Sequence, residues 1–150
     1  MPEPSQSLPR LVGMNHIALE VGDVEEALAF YGRLFNFTLR GRGPGRAFID
    51  MGDQFIALFE SRAQTSDDHR HIGLVVDDKA AARDRLEQNG VEILSDRFLD
   101  FRDPWGNRIQ IIAYADVQFT KAPRVLEAMG LAELAKSADA RQQLRDKGMA

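Results

Sequence analysis

The sequence predicts an α+β domain made of two tandem βαβββ modules followed by a helical C-terminal appendage. Three observations carry this: an internal repeat, two aspartates placed to cap helices, and short alternating runs set between turn residues. Self-similarity is read first, because a repeat fixes architecture before any motif does. Residues 16–23, HIALEVGD, realign with residues 71–78, HIGLVVDD, at an offset of 55. Each copy reads as a strand with alternating side chains, then an Asp suited to a helix N-cap, then a helical stretch.

In the first copy Asp23 stands before Val24, and Glu26 follows three residues on, the spacing of a capping box. Val24, Ala27, Leu28, Tyr31 and Leu34 then recur at helical spacing, which gives the helix one apolar face. In the second copy Asp78 precedes KAAARDRLEQ, rich in good helix formers, and Asn89-Gly90 supplies a left-handed stop. Short runs follow each helix. They are FTLRG, RAFIDMGD and QFIALFE in the first copy, and VEIL, RFLDF and RIQIIAY in the second. Gly41, Gly43, Pro44, Gly45 and Gly52-Asp53 break the first set, and Asp103-Pro104-Trp105-Gly106-Asn107 is a strong turn before the last strand.

The modules are therefore expected at 11–60 and 70–115, within one domain at 11–115, joined by a polar linker at 61–69. Residues 1–10, with three prolines and no apolar core, read as a flexible leader rather than a signal peptide. Residues 116–150 change to helical patterning. Pro123 suits a first turn, Gly130 an end and Ser137 a cap, while Val125, Leu126, Met129, Leu131 and Leu134 are expected to pack on the parent sheet or a dimer mate.

Composition narrows the chemistry. With 150 residues, 44% of them hydrophobic, one domain can bury a core without staples. No cysteine is present, so a disulfide framework, a thiolate nucleophile and a sulfur-ligated metal are all excluded, and a reducing cytoplasm fits. The formal charge of −4 and the scattered basic residues argue against a nucleic-acid partner, and no apolar run is long enough for a membrane span.

The order Asn15-His16-Ile17, Asp23, Phe30-Tyr31 and Phe35-Asn36-Phe37 resembles the first module of the vicinal oxygen chelate superfamily, which holds glyoxalases, bleomycin-resistance proteins and extradiol dioxygenases. His71-Ile72, then Asp103 to Asn107 leading into Ile109-Gln110-Ile111, resembles the second module, so the likeness spans about residues 11 to 115. The resemblance implies curved sheets that form a cup around a divalent metal (Zn, Fe, Mn, Ni or Co). Where the family has Gly at the end of the first helix this chain has Asn36, a residue that tolerates the left-handed conformation.

Alternation along the strands sorts the side chains independently of that likeness. Ile17, Leu19 and Val21 share one face, leaving His16, Ala18 and Glu20 on the other; Ile72, Leu74 and Val76 leave His71, Gly73 and Val75. In the last strand Arg108, Gln110, Ile112 and Tyr114 share the face opposite Ile109 and Ile111. Two histidines at equivalent repeat positions make His16 and His71 the candidate imidazole ligands. The resemblance implies a Glu ligand where this chain has Gln110, whose carbonyl can coordinate but cannot take a proton. A second acid is absent too, whether Ala57 or Ile56 occupies the equivalent place in the fourth strand. In the register that places Ile56 there, Glu60 would enter the cup.

Tyr114 is the candidate proton donor or substrate contact, and Phe48, Phe59, Glu60 and Arg108 are the candidate pocket residues. The expected activity is a metal-dependent reaction of lyase, isomerase or dioxygenase type on a small molecule with neighbouring oxygens, in a homodimer. Glyoxalase-type isomerisation is disfavoured because it needs carboxylates at the metal. The other reading is a metal-free protein that sequesters a drug or metabolite in the same cup.

Overall fold

A computed structural model describes residues 14–61 and 65–150, so the leader expected at 1–10 and residues 62–64 of the linker lie outside it. The first module runs β1 (His16–Val21), α1 (Val24–Leu34), β2 (Leu39–Gly43), β3 (Arg46–Asp50) and β4 (Phe55–Glu60). Its sheet has the order β1-β4-β3-β2, with β1 parallel to β4 and the other pairs antiparallel. The second runs β5 (Ile72–Val76), α2 (Lys79–Gln88), β6 (Leu99–Arg102) and β7 (Arg108–Ala113), in the order β5-β7-β6.

The second module thus has three strands among the described residues, where four are expected. The run at 91–94 is an irregular connection. Val91 spends its N–H on the Leu86 carbonyl at 3.0 Å, closing the end of α2, and only Leu94 reaches β6, donating to the Asp100 carbonyl at 2.8 Å.

Both caps form as the sequence predicts. Asp23 accepts from the Glu26 N–H at 2.8 Å and Asp78 from the Ala81 N–H at 2.9 Å, each bond contributing about 1 kcal/mol to its helix. Val24, Ala27, Phe30, Tyr31 and Leu34 are the buried face of α1; Leu28 is only half-buried, and Phe30 is the larger contact. α1 ends without a left-handed residue. Phe35 is extended and donates to the Tyr31 carbonyl at 2.8 Å, so the expected role of Asn36 is not used. At the end of α2, Gly90 does take positive φ, at 65°.

α1 and α2 lie against the same core as both sheets, and Val21, Leu58, Leu86, Phe101, Ile109 and Ile111 are among its most enclosed aliphatic and aromatic members. Polar links also join the modules. The Tyr31 hydroxyl donates to Asp103 Oδ2 at 2.8 Å, and Asn107 Nδ2 donates to the Glu20 carbonyl at 2.9 Å. The Trp105 indole lies so close to Gly22 that any side chain there would collide with it.

Burial, then the charge and hydrogen bond of Asp103, hold the Tyr31 phenol well above its ordinary value of 10.0. A phenol that stays protonated when folded but ionises when unfolded stabilises the fold below pH 10, and that stability drains away as pH rises further. Melting temperature should therefore fall above pH 10, and Tyr31→Phe should flatten the fall. An equally steep fall in the variant would assign the effect to other groups.

After β7 comes a single 3₁₀ turn at Tyr114–Asp116, then α3 (Pro123–Ala128) and α4 (Ala138–Asp146). Pro123 lies in the first turn of α3, Gly130 follows it with φ of 75°, and Ser137 accepts from the Ala140 N–H at 3.2 Å. This segment packs on its own chain. Lys121 pairs with Asp53 and holds its carboxyl below the usual range, while Met129 and Val125 press on Gly52. Lys136 reaches the Tyr114 and Phe119 carbonyls, and burial pushes its ammonium down. No helix among the described residues is long and apolar enough to cross a membrane.

Candidate functional site

Strand register decides which side chains share the sheet faces turned away from α1 and α2. Across β1, β4 and β3 the aligned rows are His16 with Phe55 and Asp50, Ala18 with Ala57 and Phe48, and Glu20 with Phe59 and Arg46. Across β5, β7 and β6 one row holds Gly73, Gln110 and Asp100, and Arg108 lies beside Arg102. Each histidine sits two residues before the small residue, Ala18 or Gly73, of the following row. Ala57 is therefore the counterpart of Gln110, and Phe48 that of Asp100. Ile56 packs in the core cluster, whereas Ala57 shares the opposite face with Ala18 and Phe48, so the fourth-strand register places Ala57 there.

That register corrects the placement of Glu60. It pairs with Val21, on the helix side, and its Oε1 accepts from the Val24 N–H at 3.1 Å. Glu60 thus serves the start of α1, where a negative charge meets the positive end of the helix dipole. Tyr114 is also displaced from its expected place. The strand stops at Ala113, and the following turn buries the tyrosine to 5% exposure. Its hydroxyl accepts from the Lys121 N–H at 3.3 Å and the Lys136 ammonium lies 3.5 Å from its ring centre. The hydroxyl is thereby tied into the packing of the C-terminal segment.

Phe48 and Phe59 do lie on the open face, edge to face with each other at 6.2 Å, and Phe59 is 40% exposed. Phe55 joins them, 5.8 Å from Phe48, and the Arg40 guanidinium stands 4.5 Å above its ring. His16 stacks on Phe55 at 4.7 Å with planes 12° apart, which fixes the orientation of the imidazole. Asn15 Nδ2 donates to His16 Nδ1 at 3.0 Å, an arrangement that puts the imidazole proton on Nε2, so a metal taken at Nε2 requires the Asn15 amide to turn end for end. His71 is exposed and its Nδ1 is 2.9 Å from the His69 carbonyl. In the neutral imidazole a ring nitrogen facing a carbonyl carries the proton, which leaves Nε2 of His71 with the lone pair.

Arg108 is committed to the protein. Its Nε and Nη2 hold Asp100 Oδ2 at 3.0 and 2.9 Å, and Nη1 donates to the Asp68 carbonyl at 2.5 Å. Arg102 reaches the same loop through the Asp67 carbonyl at 2.8 Å. These two arginines pin residues 67–68, just before His71. Asp100 and Arg40 are the site residues that sequence reasoning passes over. The signal for Asp100 was available: an acid between Leu99 and Phe101 must lie on the face opposite that core pair.

A sequence model of the Glyoxalase/Bleomycin resistance protein/Dioxygenase superfamily matches residues 13–111. The chain belongs to this superfamily. Similar proteins include Glutathione transferase FosA of Serratia marcescens, 27% identical over 113 residues that span 67% of this chain and 80% of that protein. Metallothiol transferase FosB of Lysinibacillus sphaericus is 30% identical over 96 residues, spanning 60% and 68%. Among solved structures, the fosfomycin resistance protein FosX from Listeria monocytogenes matches with a TM-score of 0.60 at 20% identity, over 69% of this chain and 94% of that one. An integron cassette protein from V. cholerae, VCH_CASS1, matches at 0.57 and 22%, over 72% and 99%. At those identities the structural likeness shows the fold.

For a superfamily member, the donor set bears directly on a divalent metal. No three His, Cys, Asp or Glu side chains among the described residues come together as a ready-made centre. What the second sheet does offer is the Nε2 of exposed His71, the Gln110 amide, and a buried oxygen, Asp100 Oδ1, with no hydrogen-bond partner. An imidazole, an amide oxygen and an orphaned carboxylate oxygen suit a borderline or hard divalent ion.

Proposed function

We propose that this chain is a metal-dependent enzyme acting on a small molecule, with His16 and His71 as imidazole ligands and Gln110 as a neutral oxygen ligand. The observation that carries the reading is the bond between His71 Nδ1 and the His69 carbonyl, 2.9 Å long, which fixes the tautomer a metal-binding Nε2 requires. When bound, the ion supplies Lewis acidity toward neighbouring substrate oxygens. The chain's residues do the rest. His16, clamped on Phe55, and His71, tethered by the loop that Arg102 and Arg108 hold, are kept in fixed orientation. Phe48, Phe55 and Phe59 give the apolar part of a substrate a wall, and Arg40 beside it favours an anionic group.

Gln110 cannot accept a proton and Ala57 carries no acid, so a reaction that shuttles a proton through these positions is disfavoured. Group transfer, the class named for the FosA and FosB relatives, joins lyase, isomerase and dioxygenase chemistry as the class to test. Protein purified without an affinity tag should carry about one equivalent of divalent metal per chain. Metal below a tenth of an equivalent, together with no binding on titration, would favour the second reading, a metal-free sequestering protein; Ala57 and Gln110 in place of acids are what support it.

We further infer a homodimer. β1, β2, β5 and β6 are edge strands, and the open face leaves Ala18, Phe59 and His16 exposed. Light scattering at micromolar concentration should return twice the 16.8 kDa chain mass, and a monomeric mass would count against it.

A further inference from the structure

We infer that Asp100 supplies the anionic oxygen of the metal centre, with Oδ1 as its donor atom and Arg108 holding Oδ2; this rests on the metal reading above. Asp100 stands directly across the β6–β7 ladder from Gln110, on the face opposite its core neighbours Leu99 and Phe101. It is 4% exposed, and Oδ1 is the single buried side-chain nitrogen or oxygen among the described residues with no hydrogen-bond partner. Leaving such an oxygen unmatched costs about 1–3 kcal/mol, more for a charged group, so its persistence calls for a partner.

The ion pair with Arg108 does not supply one. A guanidinium facing a carboxylate commonly takes both oxygens in a parallel fork. Here Nε and Nη2 both fall on Oδ2, at 3.0 and 2.9 Å, and Oδ1 is left aside. A metal-ligating carboxylate has this pattern: one oxygen to the ion, the other held by an outer donor. Gln110, directly across the ladder, offers its own side-chain carbonyl on the same face. Asp100 thus returns the negative charge that glutamine at position 110 withholds, from the neighbouring strand. With His71 the second sheet would give one nitrogen and two oxygens, a set suited to Mn²⁺, Fe²⁺ or Co²⁺ as well as Zn²⁺.

The test uses the full chain stripped with a chelator and titrated calorimetrically with Mn²⁺ and with Zn²⁺. Asp100→Asn should weaken binding tenfold or more, and Asp100→Glu should recover part of the loss, whereas a purely structural ion pair would leave metal affinity unmoved. Should Asp100→Asn fail to fold, the parent protein decides. On adding Zn²⁺, the ¹³C carboxyl resonance of Asp100 should shift and saturate at one equivalent; a resonance that stays put overturns the inference. Loss of binding in His71→Ala with parental affinity in folded Asp100→Asn would sink the Asp100 assignment alone. If the parent binds neither ion, the metal reading falls and this inference with it.

Discussion

Replacing Asp103 with alanine should cost several kcal/mol of stability, because each buried donor it strands costs about 1–3 kcal/mol. The carboxylate is 3% exposed and accepts four hydrogen bonds. Oδ1 takes the backbone N–H groups of Trp105 and Asn107 at 3.0 and 2.9 Å, and Oδ2 takes Asn107 Nδ2 at 2.7 Å and the Tyr31 hydroxyl at 2.8 Å. The first three shape the β6–β7 turn; the fourth crosses to α1 of the other module. Asn107 itself extends the link to the Glu20 carbonyl. Truncation therefore loosens the turn and the module junction together. By contrast Asp23→Ala, which removes one exposed cap bond, should cost about 1 kcal/mol. Urea denaturation of both variants checks the contrast, and a loss below that of Asp23→Ala would mean that water takes the place of the lost carboxylate and satisfies its donors.

The difference between these two aspartates also marks what a sequence can reveal. Asp23 and Asp78 were legible because a cap is local: the acid, the spacing and the apolar rhythm all lie within one turn of helix. Strand faces were legible for the same reason, since alternation places His16 and His71 opposite the core wherever the partners lie. Asp103 reads only as part of a turn signal, because its decisive partner, Tyr31, is 72 residues away. Glu60 and Tyr114 were misplaced by a different route. Extrapolating alternation past a strand end fails once the backbone turns at Ala113, and a one-residue choice of register moves Glu60 from the open face to the cap of α1. The run at 91–94 has strand-like residues, but its first N–H group is consumed in closing α2.

Gln110→Glu should tighten divalent-metal binding about tenfold or more, or roughly 1.4 kcal/mol, while lowering the stability of the metal-free protein. Both effects follow from the ladder. Residue 110 lies directly opposite Asp100, so the variant sets two carboxylates face to face on one sheet surface. Like charges so placed repel, and Arg108, already spent on Asp100 Oδ2 and the Asp68 carbonyl, can neutralise only one of them. On the metal reading, a divalent ion held by these side chains would remove the repulsion and gain a second anionic ligand. Metal should accordingly raise the melting temperature of Gln110→Glu by more than it raises that of the parent, because a ligand that binds only the folded state stabilises in proportion to its affinity. His16→Ala should abolish the parent's binding. A metal-induced rise that is the same in Gln110→Glu as in the parent would place the ion away from β7, whatever the absolute affinity, since no bound ion could sit beside residue 110 and fail to register the added charge.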